Sequence, residues 1–258
     1  ARLKPRVAEW PTGKGRIFSE APALAERSAA GQLPPVSERL PQDPLVIVPP
    51  EQMGPYGGAW LRFATDNTTD MQVQIQWRIC YEPLLRWDSL GRELVSNLAR
   101  RVDIAPDGGS YTFHLRRGLR WSDGEPFTAD DVLFWYEDLM LNKEFTPSLP
   151  VDLAPGGAAA RVEKLDAFSV RFSFQAPHGL FLKKMAYAIW GDDACGCPRH
   201  YLRRFHPRHQ PAAGLQRLVA EAGAKDWKDL LIQRWNWRNP DCPRMWAWTV
   251  KVPPPPLR

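Results

Sequence analysis

No stretch of this sequence approaches the ~20 consecutive apolar residues that a membrane-spanning helix needs. The nearest run, "PLVIVPP", is far too short. The opening residues "ARLKPRVAEW" lack the apolar core of a signal peptide, so an exported protein that starts here would be in its mature form. Motifs of catalysis are equally scarce: there is no G-x-S-x-G, no glycine-rich phosphate loop and no H-E-x-x-H. A strong charge bias is also missing. The 34 Lys and Arg stand beside 29 acids, giving a net charge of +5 spread along the chain. No nucleic-acid reader motif accompanies that charge, so nucleic acid is not an expected partner.

Cysteine is sparse, with Cys80, Cys195, Cys197 and Cys242. An even count in an exported chain permits disulfides, and four cysteines allow three connectivities. The stretch "CGCPRH" leaves several readings open. Cys195 or Cys197 could bridge to Cys242, or all could remain thiols. Cys195, Cys197 and His200 could also join Cys242 or His206 around zinc, although C-x-C-x-x-H is not a strong zinc spacing. No metal and no cofactor is expected. The five histidines, among them His200 and His206 around "HYLRRFHP", read as structural or solvated rather than catalytic.

What the chain does hold is proline and tryptophan, 26 and 12 of them in 258 residues. Proline removes a backbone donor and fixes φ, so many of them imply long irregular connections. Ten fall in residues 1–55, a Pro-rich arm with one short helix predicted from Ala21 to Ala30, Pro22 in its first turn and Gly31 at its stop. Leu33, Val36, Leu40, Leu45 and Val46 to Val48 give that arm something to bury.

Beyond the arm, "YGGAWLRFAT" reads as a strand entered through Gly57 and Gly58. "DNTTDMQVQIQWRICYEPLLRWD" reads as a loop and a helical run broken at Pro83. A hairpin follows, turning at Asp107-Gly108-Gly109, with Tyr111, Phe113 and Leu115 alternating with Thr112, His114 and Arg116. "ARVEKLDAFSVRFSFQAP" repeats the alternation at Val170, Phe172 and Phe174. Two amphipathic helices come next, one burying Leu215, Leu218, Val219 and Ala222, the other Trp227, Leu230, Leu231 and Trp235. The whole is a mixed α/β chain.

"WSDGEPFTADDVLFWYEDLM" (121–140) is rich in carboxylates, which raises a metal site as a possibility. A calcium loop starting at Asp123 would need acids where Phe127 and Phe134 stand, so that reading fails. Asp123-Gly124 instead forms a turn, and Thr128 with Asp131 has the capping-box spacing. Asp130 and Asp131 fall in the first helical turn, where the amide dipoles favour negative charge. Val132, Trp135, Tyr136, Leu139 and Met140 then make a core-facing stripe, with Glu137 and Asp138 left on the solvated side.

The run "YEPLLRWDSLGRELVSNLARRVDIAPDGGSYTFHLRRGLRWSDGEPFTADDVLFWYED" resembles the family 5 extracellular solute-binding proteins, the peptide, dipeptide and nickel receptors of bacterial ABC importers. "YGGAW", "PRHYLRRFHP" and "NPDCPRMWAW" extend the resemblance toward the peptide-receptor branch. It implies a periplasmic-binding-protein type II-like fold of two mixed α/β lobes closing on an extended solute, non-catalytic and periplasmic or extracytoplasmic. Residues 56–80 and 177–258 would then be an incomplete first lobe, and 81–176 its smaller subdomain carrying the hairpins. Relatives run to roughly twice this length, so the second lobe is missing. The implied ligand, an oligopeptide or other small solute, would meet Thr65, Asp66 and Asn67 after the first strand, together with Tyr81 and Trp190. The implied partners are an ABC permease or a polypeptide supplying the second lobe. The alternative is a shortened receptor kept as an interaction subunit of a larger, membrane-associated assembly, which the tryptophans and the +5 charge would suit.

Overall fold

The computed structural model describes residues 6–10, 15, 18–49, 51–61, 77–187 and 194–248. In the arm, β1 (Arg6–Glu9) pairs antiparallel with β2 (Leu45–Val48), and α1 (Pro22–Ala29) and α2 (Val36–Arg39) lie between them. α1 begins with Pro at its first turn and no side-chain cap, and buries no residue completely. The arm does lie on the body, as its apolar residues predict. Its anchor, however, is polar: Arg116, 2% exposed, donates through Nη1 and Nη2 to both carboxylate oxygens of Glu9, at 2.6 and 2.7 Å. The same guanidinium donates to the carbonyls of Asn97 (2.6 Å) and Asp43 (2.8 Å).

Residues 56–61 form no strand, and Tyr56, Trp60 and Leu61 are exposed, which corrects the expected opening strand in its described part. The run expected to be helical and broken at Pro83 is, in its described part, helical only before that proline. One helical turn, Trp77–Ile79, ends before Pro83, and β3 (Leu85–Trp87) then pairs with β4 (Leu94–Ser96). A short apolar run such as Leu84-Leu85 carries no period that separates strand from helix. The decision comes from the turn, where Asp88 Oδ1 accepts from the amides of Arg92 (2.7 Å) and Glu93 (3.3 Å).

Both predicted hairpins form, β5 (Ala99–Ile104) with β6 (Ser110–Leu115) and β7 (Arg161–Asp166) with β8 (Ser169–Ser173). They join through β6 and β8 into one antiparallel sheet of order β5-β6-β8-β7. Gly108 takes φ +68° in the first turn, a conformation that favours glycine there. One sheet face buries Phe113 and Phe172 completely, their rings edge to face at 5.7 Å.

Against this face lie α3 (Ala129–Leu133), which runs on as a π-helix over Phe134–Met140, and α4 (Phe181–Met185). The predicted capping box is present: Thr128 Oγ1 accepts from the Asp130 amide, and Asp131 Oδ2 accepts from the Thr128 amide at 2.9 Å. Trp135, Tyr136 and Leu139 are buried as expected. Asp138 is not on the solvated side; it is 6% exposed, because the wider π turn rotates it inward against the segment 206–209. The chain then continues through α5 (Arg199–Leu202), a 3-10 turn (Arg203–Phe205), α6 (Ala212–Glu221) and α7 (Trp227–Arg234). α6 stops at Gly223 (φ +61°), and Asp226 caps α7 through the amides of Lys228 and Asp229.

Candidate functional site

Of the residues singled out for a ligand, Thr65, Asp66, Asn67 and Trp190 lie outside the described residues. Tyr81 is half-buried at the junction of the helical turn Trp77–Ile79 and β3, with the Arg86 guanidinium 5.4 Å from its ring centre. Arg86 also pairs with Glu82 (3.0 Å), whose other oxygen accepts from Asn97 Nδ2 at 2.6 Å. Burial raises the Glu82 pKa above its ordinary value, and Arg86 and Asn97 pull it part of the way back.

Cys80, the residue before Tyr81, belongs to a small second core with Trp237, and Trp246 packs against them. The chain arrives there after α7, whose end at Trp235 precedes an irregular stretch rich in Trp and Arg. Arg244 is buried and organises that stretch. It donates to the carbonyls of Trp237 (2.9 Å) and Asn239, while its backbone exchanges hydrogen bonds with Ser122. Arg238 stacks over Trp237 at 5.0 Å and Arg244 over Trp246 at 5.6 Å.

Six buried donors among the described residues have no protein partner: Arg86 Nε, Arg234 Nε, Arg244 Nε and the indole Nε1 atoms of Trp121, Trp135 and Trp246. A buried donor without an acceptor costs about 1–3 kcal/mol, so ordered water is their natural complement. Sequence reasoning nominated Tyr81 alone here. Glu82, Arg86, Trp237, Arg244 and Trp246 were missed, although the interleaving of Trp with Arg in "WNWRNPDCPRMWAW" was a readable signal.

All four cysteines are buried thiols, one of the readings the sequence left open, and the possible bridge from Cys195 or Cys197 to Cys242 is not formed. Cys195 and Cys197 belong to the main core, and the Cys242 sulfur lies 3.8 Å from the Pro243 carbonyl. Burial pushes the Cys242 thiol up to about 12, which makes it unreactive. His200, another member of the zinc reading, pairs instead with Asp123 at 2.7 Å. A basic cleft of about 410 Å³ opens elsewhere, lined by Arg100, Arg101, His114 and Arg117. Its cations are partly matched internally, Arg100 by Asp43 and both Arg101 and His114 by Asp103.

Residues 93–193 match the model for the bacterial extracellular solute-binding proteins, family 5 middle region. A periplasmic alpha-galactoside-binding protein of Rhizobium meliloti is 32% identical over 197 residues, which is 70% of this chain and 28% of that protein. A di/tripeptide-binding protein of Pseudomonas aeruginosa is 29% identical over 46% of this chain and 25% of its own length. Among solved structures, the oligopeptide-binding protein OppA superposes with a TM-score of 0.82 at 36% identity, over 93% of this chain and 37% of that one. The periplasmic binding protein MelB of Agrobacterium fabrum, in complex with stachyose, gives 0.69 at 26% identity, over 98% and 38%. The chain therefore spans well under half the length of these proteins, with the mixed α/β architecture of the periplasmic binding proteins over that part. It belongs to the family 5 extracellular solute-binding proteins.

Proposed function

We propose that this chain supplies part of the receptor of an ABC importer, acting outside the cytoplasmic membrane. Its Tyr81–Trp237–Trp246 face would form one wall of the solute site. The observation that carries this reading is the superposition on OppA, with a TM-score of 0.82 at 36% identity over 93% of this chain. Such a wall holds an extended ligand by its acceptor oxygens and apolar faces, without bond chemistry, which suits binding and delivery. Thr65, Asp66, Asn67 and Trp190 remain proposed contacts on the same ligand. In this reading 56–80 with 177–258 is the first lobe and 81–176 its subdomain.

An oligopeptide is the first ligand class. The likeness to OppA supports it. An oligosaccharide is the second, because sugar rings stack on indoles and the relative matched over 70% of the chain is named for alpha-galactosides. One wall alone buries one side of a ligand, so affinity in isolation should be weak. Calorimetry with a mixed tetrapeptide pool and with raffinose, on wild type and Trp246→Ala, tests this. Heat with either class that Trp246→Ala removes supports the reading and names the ligand. No heat with either at millimolar concentration would overturn solute binding by this chain and favour an interaction subunit. The exposed Met53, Tyr56, Trp60, Leu61 and Trp248 would then be its contact surface, with a permease-side or second-lobe polypeptide as partner.

A further inference from the structure

A second cluster lies far along the sequence from the Tyr81 face and serves none of the roles above. It comprises Asp138 on the π-helix and His206 and His209 on the turn that follows the 3-10 segment. One ligand-type atom of each, a carboxylate oxygen and two ring nitrogens, lies within 4.8 Å of the others. Asp138 Oδ2 and His209 Nε2 are already 3.0 Å apart. Two ligands of one tetrahedral zinc ion sit roughly 3.3 Å apart, as bond lengths near 2.1 Å require, so this pair needs almost no movement. We infer that Asp138, His206 and His209 form a site for a divalent transition metal such as Zn²⁺, stapling the π-helix to the 206–209 turn.

The surroundings are built as such a site needs. The turn is preformed, since the His206 carbonyl accepts from the amides of His209 and Gln210, each at 3.0 Å. The His206 ring is held from both sides: Nε2 lies 3.0 Å from the Asp138 carbonyl and donates to it, with Asn142 Nδ2 at 3.3 Å, and Nδ1 accepts a 3.2 Å bond from the Arg208 amide. Phe134 and Trp227 wall the two imidazoles, at 5.9 Å from His209 and 5.0 Å from His206. His209 stands at the surface, where water completes the coordination.

One group opposes the metal. Arg208 Nη1 lies 2.8 Å from Asp138 Oδ1 and neutralises the carboxylate from its exposed position. That competition supplies a sharp test, because a metal site and a mere hydrogen-bond network respond oppositely when Arg208 is removed. Untagged protein is titrated with ZnCl₂ by calorimetry and with CoCl₂ by absorption spectroscopy. The expected result is one metal per chain with cobalt d–d bands and no thiolate charge-transfer band. His209→Ala should abolish saturable binding, and Arg208→Ala should tighten it by about fivefold, the equivalent of one part-exposed ion pair. Circular dichroism checks that each variant is folded, and the Arg208 result stands alone should His209→Ala not fold. Three results would each overturn the site: no saturable binding at 100-fold metal excess, a thiolate band placing the metal on the cysteines, or Arg208→Ala weakening binding.

Discussion

The four-stranded sheet and the N-terminal arm are both antiparallel β structure, yet opposite forces hold them. In the sheet, Phe113, Val170 and Phe172 have no exposed surface, and Phe181 meets Phe172 at 5.2 Å. Burial of each such side chain contributes about 1.5–3 kcal/mol, without any demand on direction. In the arm, β2 leaves Ile47 60% exposed, and much of the attachment is polar, centred on one buried guanidinium that reaches Glu9 and Asp43. Apolar contact tolerates small errors of placement. A bidentate arginine–carboxylate pair does not, and it responds to pH and salt as the core cannot.

The largest way to separate the two is Phe172→Ala. It should cost about 3–5 kcal/mol and lower the melting temperature of the whole body, as read by calorimetry or denaturant titration. Glu9→Ala should cost less, about 2–3 kcal/mol, because it leaves the buried Arg116 with carbonyl partners only. Its signature is local, with residues 6–48 becoming sensitive to limited proteolysis while the body's denaturant midpoint stays nearly unchanged. If both variants gave one shared transition, the arm would be part of the cooperative unit and the contrast would fail.

Acid sharpens the contrast, because two carboxylates respond with opposite sign. Hydrogen bonds from Arg116 hold the Glu9 pKa below its usual value, against a smaller effect of burial. The stability it supplies is present at neutral pH and is lost as pH falls below about 4.3 and through the depressed value. Burial raises Asp131 to about 6, against bonds from the amides of Thr128 and Arg199. That contribution is full at low pH and is lost as pH rises through about 6. Between pH 7 and pH 5 wild type should therefore gain about 1 kcal/mol relative to Asp131→Asn. Proteolysis of the arm should begin only at more acidic pH. The smallest effect belongs to the helix cap: Thr128→Ala should cost about 1 kcal/mol in a chemical-denaturation midpoint.

Legibility followed the range of the interaction. The two hairpins, the capping box and the buried faces of α6 and α7 were readable because their signals lie within a few residues, in alternation, turn glycines and cap spacing. β3 was misread because Leu84-Leu85 is too short to show a period, and its pairing with β4 depends on the Asp88 turn. Asp138 was misread because the helical period assumed 3.6 residues per turn, and the π-helix changes which side chains point inward. At the candidate ligand wall only Tyr81 was named beforehand. Its neighbours Trp237, Arg244 and Trp246 lie about 160 residues further on, and nothing local ties them to it.

The sequence by itself determined the mixed α/β class, the hairpins, the capped helix and the family, since each rests on short-range pattern or on motif order. Tertiary structure alone decided that the two hairpins share one sheet, that the buried Arg116 reaches back to Glu9 of the arm, and that the cysteines are buried thiols. It also decided that Asp138 meets His206 and His209. Those outcomes depend on which distant surfaces become neighbours, a choice made by the burial of the whole chain and written in no single stretch of it.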